Sequence, residues 1–119
     1  MTTDLAMVVA DLAQQVRAGQ GAFLMDLDGV PIEQVASAAG ADPESIAAEY
    51  AGLLRQARTL VEELEWGAAT SYSVRGMTRQ VVFAFAPGDL VLGVEAQSLG
   101  VRGQMRHALG QAVTQISLA

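Results

Sequence analysis

Apolar residues recur along the chain in two rhythms, one of three to four residues and one near alternation, and the switches between them mark eight elements. Leu5, Val8, Val9, Leu12 and Val16 keep helical spacing, so a helix is predicted over 4–18, started by Asp4 and ended by Gly19-Gln20-Gly21. Residues 22–26 read as a short buried strand and 30–35 as its return. Between them Asp28-Gly29 is a hairpin signal, because a tight turn needs the positive φ that glycine adopts freely. A small-residue loop over 37–41 leads to Asp42-Pro43-Glu44, which combines a capping carboxylate, a proline in the first turn and an acid at the positive end of the helix dipole. The helix so opened runs over 42–65 and is stopped by Gly67. Strands are predicted over 68–74, 77–86 and 90–96, with turns at Arg75-Gly76 and Pro87-Gly88-Asp89. Val101, Met105, Leu109, Val113 and Ile116 then predict a helix over 99–116. Gly103 and Gly110 share one face of it, which implies a close approach to the sheet. Tight turns within both strand groups make the sheet mainly antiparallel. The expected fold is α/β in the α+β sense, a single domain over 1–119 with element order α-β-β-α-β-β-β-α.

The helix over 42–65 carries more apolar surface than a sheet cover needs. Ile46, Tyr50, Leu53, Ala57, Leu60 and Leu64 form a seam at alternating spacings of four and three residues, as in a coiled coil. Ala47, Leu54 and Val61 form a second row beside it. Together they span an arc of about 140°, against roughly 100° for a helix that covers one core. The extra width predicts two contacts, one to the sheet and one to a second helix, and leaves open which row makes which. A helix seated deeply in one core is the alternative. The following segment, 67–74, contains neither charge nor proline, the usual guards of an exposed strand edge. If that strand is an edge, a two-fold axis pairs helix with helix and edge with edge.

Composition narrows the partners. Of 119 residues, 51% are hydrophobic and 17% charged, the latter below the usual ~25%. The net charge is −6 and all seven cations are Arg. An acidic chain without a basic cluster repels a phosphate backbone and an anionic membrane surface, so nucleic acid and membrane insertion are not expected. With no Cys, disulfides and thiolate sites are excluded, and the absence of a cationic, apolar leader fits a cytoplasmic protein.

The one catalytic-looking motif is 23–30, Phe-Leu-Met-Asp-Leu-Asp-Gly-Val, which resembles the first motif of haloacid-dehalogenase phosphatases. There Asp26 would be nucleophile and Asp28 general acid beside Mg²⁺. The Lys and the later acidic pair of that machinery are missing, so a strand ending in an Asp-Gly hairpin is the preferred reading. The spacing also fails as a calcium loop. His107 is the only His and is expected in solvent; Glu62, Glu63 and Glu65 read as a solvated helix end. Neither a P-loop nor a dinucleotide fingerprint is present. No cofactor, metal site or catalytic residue is assigned, and the chain is not expected to be an enzyme.

With the helix order, the stretch 23–32, the helix from Ile46 to Leu64, Thr70 to Gly76, Val81 to Phe85 and Leu92-Gly93-Val94 taken together, the chain resembles the Roadblock/dynein light chain family, in particular its bacterial MglB-like members. The resemblance implies a profilin-like, five-stranded antiparallel sandwich with the middle helix on one face and the terminal helices on the other. It implies a homodimer or higher oligomer joined through the middle helix and the adjacent strand; the two helix rows and the uncharged strand put the expected interface at Ile46, Ala47, Tyr50, Leu53, Leu54, Ala57, Leu60, Val61, Leu64, Ser71 and Ser73. Family members bind Ras-like small GTPases as activating proteins or scaffolds, and others are light-chain adaptors. The expected function is a non-enzymatic regulator or scaffold of such a GTPase, with Arg75 and Arg79 as candidate contacts. A dimeric adaptor indifferent to nucleotide is the alternative, and a phosphatase at Asp26 and Asp28 a third.

Overall fold

The computed structural model describes residues 4–16, 19–35, 42–97 and 102–117. Within them the chain forms α1 (Leu5–Gln15), β1 (Gly19–Asp26), β2 (Pro31–Val35), α2 (Pro43–Glu63), β3 (Ser71–Arg75), β4 (Arg79–Ala86), β5 (Leu90–Gln97) and α3 (Arg102–Ser117). The element order is the expected one. The loop predicted over 37–41 and the expected start of the last helix at 99–101 lie outside the described residues.

Every strand pair is antiparallel, in the order β2-β1-β5-β4-β3, so β5 is central between β1 and β4, and β2 and β3 are the edges. Strand alternation sorts the side chains into two cores. Ala22, Leu24, Val82, Ala84, Leu92 and Val94 face α1 and α3 and meet Val8, Val9, Leu12, Met105 and Leu109. Phe23, Met25, Val81, Phe83 and Val91 face α2 and meet Ala47, Ala51 and Leu54. Each fully buried leucine among them contributes about 2 kcal/mol of burial.

The helix ends follow from named groups. Asp4 caps α1, its Oδ1 accepting from the N–H groups of Ala6 and Met7 at 3.0 and 3.3 Å. Asp42 occupies the same position before α2, but its side chain makes no capping bond. Its carboxylate instead accepts from the Ser45 hydroxyl at 3.0 Å, which corrects the reading of Asp42 as a capping carboxylate. At the other end α2 stops at Glu65 rather than Gly67. Glu65 has φ 58°, its N–H donates to the Glu62 carbonyl at 3.1 Å, and the Trp66 N–H donates to the Val61 carbonyl at 3.0 Å. That bond pair and the left-handed residue between them are a Schellman stop built without glycine.

Strand ends shift for similar reasons. β1 starts at Gly19, not residue 22, because Gly19 and Gly21 pair with Ala96 and Glu95 of β5. Val30 belongs to the β1–β2 turn and Met77 to the β3–β4 turn, where it is 98% exposed. β3 begins at Ser71, preceded by a single bond from the Phe85 N–H to the Thr70 carbonyl. The expectation for α3 fails in one respect. Gly103 and Gly110 have no heavy atom within 4 Å of a built Cβ. The buried set Met105, Ala108, Leu109, Ala112 and Ile116 turns both glycines to the opposite side of the helix at about 100° per residue.

Candidate protein interface

α2 meets the sheet with one narrow strip. Ala47, Ala51 and Leu54 are 5%, 1% and 0% exposed. The seam row is centred about 100° around the helix from this strip, so Ala47 and Leu54 of the second row face the sheet squarely, and of the seam Tyr50 reaches it from the flank. Ile46, Tyr50, Leu53 and Ala57 are half-buried, as is Val61, whereas Leu60 and Leu64 are exposed. The seam looks toward β3. Ile46, Glu49 and Tyr50 line a groove of about 410 Å³ with Val74, Gly76, Arg79 and Val81. β3 is the outermost strand on that side, and from Ser71 to Val74 it carries no charge. A half-covered helix flank and an unguarded strand edge therefore adjoin.

Aromatic packing and polar anchors hold α2 in this position. The Phe23 ring stacks on Tyr50 with centroids 5.4 Å apart, and Phe83 meets both edge-on at 6.0 and 4.8 Å. Phe23 lies over Gly93, where a built Cβ would fall 2.0 Å from the ring. The Tyr50 hydroxyl donates to Glu95 Oε1 at 3.1 Å. Burial, and then the adjacent Glu95 charge, push that hydroxyl's pKa well above the ordinary tyrosine value. Further along α2, Arg55 donates to the Leu27 carbonyl and Arg58 pairs with Asp89 at 2.9 Å. Gly29, with φ +90°, brings the β1–β2 turn onto the helix, a built Cβ falling 3.1 Å from Ala48 Cα. The helix is thus clamped by two hairpin turns and by the aromatic cluster, with its seam left on the open side.

Not all residues singled out from sequence come together. Ser71 and Ser73 pair with Ala84 and Val82, so their side chains point to the α1–α3 face, away from the seam. Ser71 lines a separate groove of about 380 Å³ with Arg106, Leu109, Gly110 and Val113. Tyr72 and Val74 are the β3 residues on the α2 side. Their alternation with the two serines is the signal that marks them, since the apolar parity of the strand must face the apolar flank. Arg75 is exposed at the end of β3, whereas Arg79 is half-buried beside Tyr50 and Glu95, its Nη1 shielded from solvent. Asp26 Oδ1 accepts from the N–H groups of Asp28 and Val30 at 2.9 and 3.0 Å. The carboxylate proposed as a nucleophile is thus held by the turn it closes. His107 is exposed. Among the described residues, no three His, Asp or Glu side chains cluster as a metal site would require.

The layering of helices on both faces of a five-stranded antiparallel sheet is that of a profilin-like sandwich. Residues 5–96 match the model of the Roadblock/LC7 domain, and the chain belongs to that family. Among solved structures it is similar to Myxococcus xanthus MglB, with a TM-score of 0.88 and 18% identity over 98% of this chain and 94% of that one. The gliding protein MglB of Thermus thermophilus follows at 0.81 and 12%, covering 99% and 92%. An MglB with tetrameric arrangement gives 0.81 and 11%, covering 99% and 91%. Profilin II of Acanthamoeba castellanii shares the fold at 0.67 and 14%, over 96% of this chain and 97% of that one. At these identities the likeness is one of fold. No curated protein matches the chain. Among the described residues, no helix is long and apolar enough to cross a membrane.

Proposed function

We propose that this Roadblock/LC7 chain is a non-enzymatic, homodimeric regulator or scaffold of a Ras-like small GTPase. One observation carries the reading. The seam of α2 is half-buried to exposed although its neighbouring strip is fully buried, and it lies beside an uncharged edge strand. A second copy related by a two-fold axis covers both, helix on helix and β3 on β3, giving a sheet continuous across the dimer. The MglB with tetrameric arrangement supports assemblies beyond two. Membership of the Roadblock/LC7 family and the likeness to MglB support a small GTPase as the partner. Arg75, exposed at the end of the edge strand, and Arg79, half-buried beside Tyr50 and Glu95, are the candidate contacts.

The test is to mix the chain with the Ras-like GTPase encoded nearest to it and to measure binding in the GTP and GDP states together with turnover. A regulator binds one state more tightly and changes turnover. Binding indifferent to nucleotide, with turnover unchanged, identifies the adaptor reading instead, and no binding to any Ras-like protein in either state overturns the proposal.

A further inference from the structure

Charge is divided along the chain, and the division builds one face. None of the thirteen acids falls within 66–88 or 96–119, whereas four of the seven arginines do. These two segments supply the groove between α3 and β3, which measures about 380 Å³ and is lined by Ser71, Arg106, Leu109, Gly110 and Val113. At about 100° per residue, Arg102, Arg106 and Val113 share one flank of α3, about 85° from the centre of its buried strip. The groove turns that flank toward β3. On β3, Arg75 has the parity of Ser71 and Ser73 and so belongs to the same face, whereas Arg79 lies on the other, beside Tyr50. A Cβ built on Gly110 meets nothing within 4 Å. Glycine weakens a helix interior relative to alanine, and no packing among the described residues calls for this one.

A single chain builds half of this site, because β3 is the edge of the sheet. Pairing β3 with its own copy carries the floor across a two-fold axis to a second α3 flank. β4 and its copy then lie three strand spacings apart, about 14 Å. Each α3 rests on β5 as well as β4, so the two helices stand somewhat wider. One helix held between two others needs about 16–20 Å between the outer axes, which is close to this width. The walls carry Arg102 and Arg106 from both copies, and the floor carries Arg75 and two serines from each. A further α3 seated there would set arginine against arginine. Carboxylates, which the arginine fork binds two bonds at a time, are the complement.

We infer that the homodimer proposed above, on which this reading depends, docks one acidic amphipathic helix of another protein in the cleft between its two α3 helices. The aliphatic side of that helix lies on Leu109 and Val113, and its carboxylates meet Arg75, Arg102 and Arg106. Pairing through α2 takes place on the opposite face of the sheet and leaves the cleft open.

The probe is a helical Leu/Glu peptide of about 14 residues, with a Leu/Lys peptide of the same pattern as control. Calorimetric titration into the full chain gives one Glu peptide for every two chains, with an affinity that falls as salt is raised, and no binding of the Lys peptide. Arg106→Glu, at an exposed position, weakens the Glu peptide by at least about tenfold. Gln111→Glu, on the far flank of α3, leaves its affinity unchanged. Gly110→Gln weakens the peptide while raising the melting temperature, a combination that a glycine needed for packing would not give. Unchanged affinity in Arg106→Glu, an equal response to the Lys peptide, or one peptide per chain overturns the inference. Displacement of the peptide by phosphatidylserine vesicles overturns it too, because the cleft then belongs to a lipid surface. Sedimentation separates the two readings. A wild-type dimer that binds no Glu peptide removes the cleft and leaves the dimer, whereas a wild-type monomer removes both. Leu53→Glu, once monomeric, loses the peptide; full affinity in that monomer overturns the shared cleft.

Discussion

Gly93 illustrates how one missing Cβ sets the geometry of a face. It sits in β5 opposite both Phe23 and Phe83, and the Phe23 ring occupies the space its side chain would fill. Gly93→Ala is expected to destabilise the fold by about 2 kcal/mol in urea unfolding, as overpacking does, with Phe23→Leu recovering part of the loss in a double-mutant cycle. Tyr50, stacked on the same Phe23, has a second role through Glu95. Its hydroxyl loses its proton less readily in the folded chain than in the unfolded one. The stabilisation this represents is complete below the unfolded value of about 10 and is lost as pH rises from there through the folded value. Tyr50→Phe should therefore flatten the alkaline fall of the melting temperature. At neutral pH it should cost about 1–2 kcal/mol, because a buried carboxylate loses its donor. From sequence, Tyr50 belonged to the seam. Nothing local indicates that its hydroxyl reaches a carboxylate 45 residues on.

At the scale of elements, the alternation of periodicities made all eight legible in order, since turn residues and helix starts act over a few positions. Boundaries differ from the sequence pattern at the glycines, whose conformational freedom serves more than one purpose. Gly19 and Gly21 extend β1 by pairing with β5, Gly67 does not end α2, and Gly103 and Gly110 make no close contact with the sheet. Glu65 took the left-handed position instead, which an L-residue other than Asn or Gly occupies at a cost. Glu65→Gly should accordingly raise stability by about 0.5–1 kcal/mol in urea unfolding, and a loss there would mean that the carboxylate contributes more than the backbone strain removes. The sheet-facing strip of α2 is only partly legible, because Ala51 falls between the positions of the seven-residue row through Ala47, Leu54 and Val61. Its clamps, Arg55 to Leu27 and Arg58 to Asp89, join positions about thirty residues apart and leave no trace in a local pattern.

For the molecule as a whole, the open seam beside the β3 edge makes self-association the property to measure. Leu53→Glu, half-buried in the isolated chain, should leave the fold intact but weaken the dimer by about 100-fold or more in sedimentation, since pairing would bury an unpaired carboxylate. An unchanged dimer would move the interface elsewhere. The arrangement of the sheet has another consequence, in time rather than in space. Its β1–β5 pair joins Asp26 to Leu90 and Gly19 to Ala96, so the two hairpin-linked strand groups on either side of α2 meet only across more than sixty residues. Chains dominated by such distant contacts fold in milliseconds to seconds. During synthesis β1 must wait, its inner edge unpaired, until β5 has emerged. Stopped-flow refolding should give a rate that falls with Leu92→Ala on β5 more than with Val74→Ala on β3, marking the closure of this pair as the slow step.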